Sequence, residues 1–221
     1  MVFVDVKGAY DAVWKAGLWV KLHASGVRGR LLRLVRSLVT STATWIKVKG
    51  ELSELMEVVV GVAQGSPYSG FAFTLFMSDL VQLVEDNQLS MACLGGTLAG
   101  VFLMDDLTFF ATSEEDLLRL LAILDQYAAK WRIQFAVTHG PNSDPKCGVL
   151  PLDFDTPVRP TWPLGGVEIP TVDHTIILGV GYHTSGTWRY HVQEKVTTRT
   201  QQHTHTHTHT HTHTPTAAAG A

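Results

Sequence analysis

Apolar residues along this chain follow two rhythms, short unbroken runs and spaced repeats, and each predicts a different element. Residues 2–6 form a β-rich run that carries Asp5 near its end. Val13, Leu18 and Leu22 then recur near helical spacing until Ser25 and Gly26 supply a stop. Residues 28–38 predict a second helix, with Leu31, Leu34, Val35 and Leu38 on one face. A hairpin is expected from 44–49 and 56–62, since Lys47 and Lys49 alternate with apolar residues as on a half-exposed strand. Pro67 suits the first position of a helix that the apolar stretch 71–84 continues. The clearest helix opens at Ser113, where Asp116 completes a capping box and Glu114 and Glu115 suit the positive helix end. Leu117, Leu120, Leu121, Leu124, Tyr127 and Trp131 mark its buried face. Residues 133–137 and 147–150 read as strands. Prolines at 151, 157, 160, 163 and 170 then separate shorter candidates, of which 176–180 is the best.

One stretch breaks its own pattern. Residues 100–111, GVFLMDDLTFFA, are two apolar runs around Asp105 and Asp106, which predicts a hairpin with the aspartates as its loop. Such a loop favours Asn-Gly or Asp-Gly, because both positions need positive φ. Two aspartates there repel by roughly 3 kcal/mol at about 5 Å and an effective dielectric of about 20. A local rule broken without local compensation is where function is expected. A divalent cation would compensate, since Mg²⁺ is held by one or two carboxylates plus substrate phosphates. The plain alternative is a solvated acidic turn. Asp5 also ends a strand, so three carboxylates meet at one sheet edge if the two strands are neighbours. Two metal ions held there can activate an attacking hydroxyl and stabilise the leaving oxygen of an in-line phosphoryl displacement. A phosphatase or a nuclease would satisfy the same spacing.

Composition narrows this picture. The 221 residues suffice for one substantial domain or two small ones, and 45% are hydrophobic. A formal net charge of −3 is not the basic balance of a protein that holds nucleic acid by bulk charge, so any such role must rest on a site. The only basic cluster is Arg28, Arg30, Arg33 and Arg36, which reads as a solvated helix face or, alternatively, as contact with a phosphate backbone. Cys93 and Cys147 have no metal-ligand spacing, which implies reduced thiols in an intracellular protein. The N-terminus lacks a signal-peptide pattern, and the apolar run 89–104 is short and glycine-broken, so no membrane partner is expected. His-Thr alternates from 203 to 214, as translation of a CA repeat gives. Clustered histidines can bind transition metals. A polar tract without apolar partners is nonetheless expected to be disordered. The expected division is a core unit at 1–150, further strands at 151–196 and a disordered tail at 197–221.

Five motifs now add a resemblance. The segment Phe3-Val-Asp5-Val-Lys-Gly-Ala-Tyr10-Asp11-Ala-Val13 resembles the first palm motif of reverse transcriptases, particularly those of non-long-terminal-repeat retrotransposons. Gly61-Val-Ala-Gln64-Gly65-Ser-Pro67-Tyr-Ser69 is similar to their second motif, and Leu103-Met-Asp105-Asp106 to the xxDD box. Lys146-Cys-Gly-Val-Leu150 resembles the later lysine motif, and 176–180 the LGV segment. All five stand in family order.

The resemblance implies an α+β polymerase palm, a mainly antiparallel sheet backed by helices. It further implies RNA-templated addition of deoxynucleotides to a primer 3′-hydroxyl, with Mg²⁺ or Mn²⁺. Asp5, Asp105 and Asp106 would be metal ligands, and Tyr10 would lie under the ribose. Gln64 and Gly65 would shape the template and nucleotide pocket, and Lys146 would protonate or neutralise the departing pyrophosphate. RNA template, DNA primer and deoxynucleoside triphosphates would be the partners. Taken singly, Asp11 reads as a helix cap, Tyr10 as a core aromatic, Lys146 as a loop lysine and Gln64 as a turn residue. Tyr68 and Gly70 replace the usual leucine and proline. The resemblance implies that the family's basic fingers would precede Val2, that its thumb would reduce to 151–196, and that the fingers and endonuclease regions of a longer parent polyprotein would be missing. A weak or inactive fragment is therefore expected. The alternative is a non-catalytic relic or interaction domain of a decayed retroelement.

Overall fold

The computed structural model describes residues 1–40, 43–58, 60–63, 65–93, 95–138, 143–152, 160–193 and 195; Gln64 and the His-Thr tail lie outside these. The strand β1 (Val2–Asp5) leads into α1 (Ala9–Ala12), α2 (Lys15–Ala24) and α3 (Gly29–Thr40). Four short strands follow: β2 (Ala43–Thr44), β3 (Lys47–Val48), β4 (Glu51–Leu52) and β5 (Met56–Glu57). Next come α4 (Pro67–Asp86), β6 (Met91–Cys93), β7 (Gly96–Leu98), β8 (Gly100–Leu103), β9 (Asp106–Phe109) and α5 (Glu114–Trp131). The remaining strands are β10 (Gly148–Val149), β11 (Thr161–Leu164), β12 (Val167–Pro170), β13 (His174–Ile177) and β14 (Val180–His183).

The central sheet runs β10-β1-β9-β8, and each neighbouring pair is antiparallel. Strands β1 and β9 pair as Val2↔Phe109, Phe3↔Thr108, Val4↔Leu107 and Asp5↔Asp106. Side chains alternate across a strand. Val2, Val4, Leu107 and Phe109 therefore share the face that joins the helical core, and Phe3, Thr108, Asp5 and Asp106 share the other. This is the α+β architecture expected of the chain.

The helices form for legible reasons. Pro67 stands in the first turn of α4, and Phe73, Phe76, Met77, Leu80 and Val84 repeat at the three- and four-residue spacing of one buried face. Ser113 caps α5, its hydroxyl accepting from the Asp116 amide at 3.1 Å, and the predicted apolar face is buried. Burying a side chain such as Phe76 or Leu124 stabilises the fold by roughly 1.5–3 kcal/mol each.

A charge also joins the helices. Lys21 of α2 is buried, and its ammonium donates to Asp79 at 2.6 Å, to the Tyr127 hydroxyl at 2.7 Å and to the Phe76 carbonyl. It lies 3.8 Å from the Trp131 ring centroid. Burial pulls its pKa down to about 8 against the opposing pull of Asp79.

Several expectations need correction. Leu103 pairs with Asp106, so the hairpin loop is Met104–Asp105 and not Asp105–Asp106. Met104 takes the positive φ of 54° that the loop requires, and Asp106 is free to open β9 opposite Asp5. Residues 133–137 make only a bridge, Val6↔Phe135, because β1 ends at Asp5 and the chain turns at the left-handed Gly8 into α1. The hairpin at 44–62 is split into two short ladders, β2 with β5 and β3 with β4. The run 176–180 likewise divides, since Leu178 (φ 52°) and Gly179 (φ 76°) turn β13 into β14. Asp11 is not a cap: Gly8 precedes α1 and Asp11 lies within it. Both cysteines are free thiols, and among the described residues no helix is long and apolar enough to cross a membrane.

Candidate active site

Each acidic residue is placed by backbone pairing. Asp5 ends β1 and faces Asp106 directly across the ladder, on the sheet face away from the helical core. Directly opposed residues have Cβ atoms about 4.5–5.5 Å apart. Asp105 stands in the loop, where its carbonyl accepts from the Val6 amide at 3.1 Å and ties the loop to the end of β1. Electrostatics carry the imprint of this crowding. The Asp106 carboxyl is pushed above the usual carboxylate range, first by partial burial and then by the charges of Asp105 and Asp5, with Lys146 opposing.

Lys146 arrives by a different route. It precedes β10, whose pairing with Val2 and Phe3 brings it alongside Asp5. Its ammonium lies 2.6 Å from Asp5 Oδ2, and that hydrogen bond raises its pKa, so it is a cation at neutral pH. The neighbouring Cys147 thiol is pushed up to about 11, chiefly by burial, and is no nucleophile at neutral pH.

Tyr10 follows the left-handed Gly8 in α1. Its hydroxyl contacts the Met104 sulfur at 3.5 Å, and its ring lies 5.9 Å from Phe73 of α4. Gly70 faces the same group: a Cβ there would lie 3.3 Å from the Met104 methyl. The residue before the aspartates is thus wedged between the first helix and the start of α4. Sequence reasoning missed this contact, because nothing in the spacing joins residues 10, 70 and 104.

Asp5, Asp105, Tyr10 and Lys146 border one open cleft of about 480 Å³, together with Lys7 and Thr138. Lys7 belongs to the first motif, yet its type and spacing alone mark it as no more than a turn lysine. Asp106 lines a second cleft of about 290 Å³, which Asp5 and Lys146 also border together with Asp144 and Thr175. Gly65, in a left-handed conformation with φ 84°, borders neither cleft, and Gln64 is outside the described residues. Among the described residues no group of three His, Cys, Asp or Glu side chains is arranged to hold a metal ion. The donor chemistry still suits a hard cation: all three groups are carboxylates, two on directly paired residues, with Asp5 presently bound to Lys146.

Comparison with known proteins gives the family and the fold. Residues 1–138 match the family of reverse transcriptases, RNA-dependent DNA polymerases. A retrovirus-related Pol polyprotein from the type-1 retrotransposable element R2 of Popillia japonica is 26% identical over 131 residues, or 58% of this chain. The chain spans 21% of that relative's length. The solved structure of Candida albicans telomerase with a fragment of telomeric RNA superposes with a TM-score of 0.50 and 16% identity. That match covers 84% of this chain and 30% of the telomerase chain, and it concerns the fold alone. With the family matched over more than half its length and an antiparallel sheet bearing Asp5 opposite Asp106, the chain belongs to the reverse transcriptase (RNA-dependent DNA polymerase) family and has a palm-like α+β fold.

Proposed function

We propose that this chain is the palm of a retrotransposon-type reverse transcriptase, whose reaction is RNA-templated transfer of deoxynucleotides to the 3′-hydroxyl of a DNA primer. The observation that carries the reading is the direct pairing of Asp5 with Asp106, where Asp5 and Asp105 border a cleft with Tyr10 and Lys146 and Asp106 borders the adjoining one. Asp5, Asp105 and Asp106 would hold Mg²⁺ or Mn²⁺, which when bound supplies the positive charge for in-line phosphoryl displacement. The remaining residues act by position. Tyr10 walls the cleft where a ribose would lie, and its contact with Met104 fixes the loop that carries Asp105. Lys146, held protonated by Asp5, is a cation and a proton source for departing pyrophosphate. Gln64 and Gly65 are assigned to the template and nucleotide pocket by their motif. Residues 1–150 form the palm unit in this reading, 151–196 the strands that lead towards a thumb, and 197–221 a tail without a part in catalysis.

Turnover by the isolated chain is expected to be slow. Among the described residues the cleft presents Lys7 and Lys146 as its only cations, a weak counterweight to a triphosphate. Primer extension on an RNA template, with Mg²⁺ or with a chelator, tests the reading. Slow, metal-dependent extension is expected, reduced roughly a hundredfold or more by Asp105→Asn. Extension that survives the chelator or the substitution would overturn it.

A second reading, a non-catalytic relic, draws on one observation: Lys146 already neutralises Asp5. Calorimetric titration with Mn²⁺ separates the two. Equal heats from the parent and from Asp105→Asn would favour the relic.

A further inference from the structure

Two apolar faces of this molecule stand open, and they carry opposite charge. The first is α3 with the start of α4. Leu31, Leu34 and Leu38 are 55%, 57% and 44% exposed, and Tyr68 and Phe71 are as open. Between these helices lies an apolar cavity of about 270 Å³, lined by Leu18, Leu22, Val35, Leu38, Tyr68 and Phe71. Arg30, Arg33 and Arg36 recur at three-residue spacing along α3, a basic row beside the leucine row. The helix has no acidic residue, and these arginines form no ion pair among the described residues. The second face is β4 and the turn after it, where Leu52 and Leu55, 65% and 60% exposed, each follow a glutamate, Glu51 and Glu54. Those glutamates also lack an ion pair among the described residues.

We propose that the two faces bind each other between two copies of this chain, the α3–α4 groove of one receiving residues 51–55 of the other. Exposed apolar surface on this scale marks an interaction site. Arginine and aromatic side chains around an apolar centre are what interface cores enrich. A phosphate backbone would satisfy the arginines and leave Leu31, Leu34, Leu38, Tyr68 and Phe71 in water, which is why a protein partner is favoured over nucleic acid. The acidic, leucine-bearing arm of a second copy covers both at once. One chain carries both faces, so a two-fold axis lets each copy give one and receive the other, the closed symmetry that homodimers adopt. Lys47 and Lys49 on the preceding strand and turn would repel the arginines, which restricts docking to the β4 edge.

Light scattering of the full chain over a dilution series should give twice the monomer mass at high concentration, falling towards the monomer on dilution. Two charge-reversed chains are expected to be monomeric alone: one with Arg30→Glu, Arg33→Glu and Arg36→Glu, the other with Glu51→Arg and Glu54→Arg. Mixed in equal amounts they should dimerise again, because each groove then meets an arm of opposite charge. Far-UV circular dichroism matching the parent establishes that both are folded. If either is not, Leu34→Asp replaces it, with a monomer as the expected result. A parent that is monomeric at every concentration overturns the proposal, as does a dimer that survives both reversals or a mixture that stays monomeric. So does a monomeric parent that loses affinity for an RNA duplex through the arginine substitutions, which would assign the face to nucleic acid.

Discussion

Gly61, which heads the second motif, stands where two backbones nearly touch. Its φ is 85°, and a Cβ there would lie 2.9 Å from both the Cα and the carbonyl oxygen of Asp11. The opposing chain has little room to retreat. Val13 accepts from the Gly61 amide at 3.0 Å, and Tyr10 accepts from the Val62 amide at 2.8 Å. Gly61→Ala therefore combines a disfavoured φ with a backbone clash, and urea denaturation should show a loss of about 2–4 kcal/mol. Gly70 is the useful contrast. An alanine methyl there would stand 3.3 Å from its nearest obstacle, the end of the flexible Met104 side chain, and the position lies inside a helix, where alanine is preferred. Gly70→Ala should remain within about 1 kcal/mol of the parent. Equal losses at the two positions would show that the close approach at Gly61 is not what requires glycine there. Because Tyr10 sits on the segment that Gly61 approaches and also touches Met104, the second motif supports the aspartate loop through backbone contact.

Among the elements, α2, α4 and α5 meet at Lys21, and this joint has a pH signature. The lysine titrates near 8 in the folded chain against 10.5 when unfolded. Between those values the unfolded chain binds more protons, so stability rises with pH. Denaturant midpoints should increase between pH 8 and pH 10 by an amount on the order of 2 kcal/mol. Above pH 10 the trend should reverse, because burial holds the Tyr127 hydroxyl protonated in the folded state while the unfolded tyrosine ionises at its ordinary value of 10.0. Lys21→Met should flatten the rise, and a parent already flat over this range would refute the joint's titration. No reading of the sequence could have found it. Asp79 and Tyr127 lie 58 and 106 residues away, and an isolated lysine on α2 reads as a solvated one. By contrast, α5 was legible to its cap, since Ser113, Asp116 and the leucine spacing are all local. The aspartate hairpin was legible as an element but its register slipped by one. Its position is fixed by β1, where Asp5 takes Asp106 as a partner, and that contact spans about a hundred residues of chain. Strand 133–137 failed for a related reason: its apolar run was visible, whereas the early end of its distant partner β1, which leaves it only Val6 to pair with, was not.

At the scale of the whole molecule, the segment beyond residue 150 shares the core of the segment before it. Trp162, Leu164 and Ile169 are buried in the same cluster as Val4 and Leu124, although they follow the end of the family match at residue 138. The Gly165 amide donates to Asp125 of α5 at 2.7 Å, and the Trp162 indole to Thr171 at 2.9 Å. Strand β10, which brings Lys146 to Asp5, is held by β1 on one edge and accepts from the Val172 amide at 2.9 Å on the other. Removing the Trp162 side chain should therefore weaken more than its own hairpin. Trp162→Ala is expected to cost about 3–5 kcal/mol and to shift a single unfolding transition. Native-state amide exchange reads this directly, since residues that open together exchange with one free energy. If the core is shared, exchange that proceeds by global opening should accelerate by the same factor at Ile169, at Val4 in β1 and at Leu124 in α5. Protection lost at Ile169 but kept at Val4 and Leu124 would make residues 161–170 a separate unit, and the placement of Lys146 would then owe nothing to them.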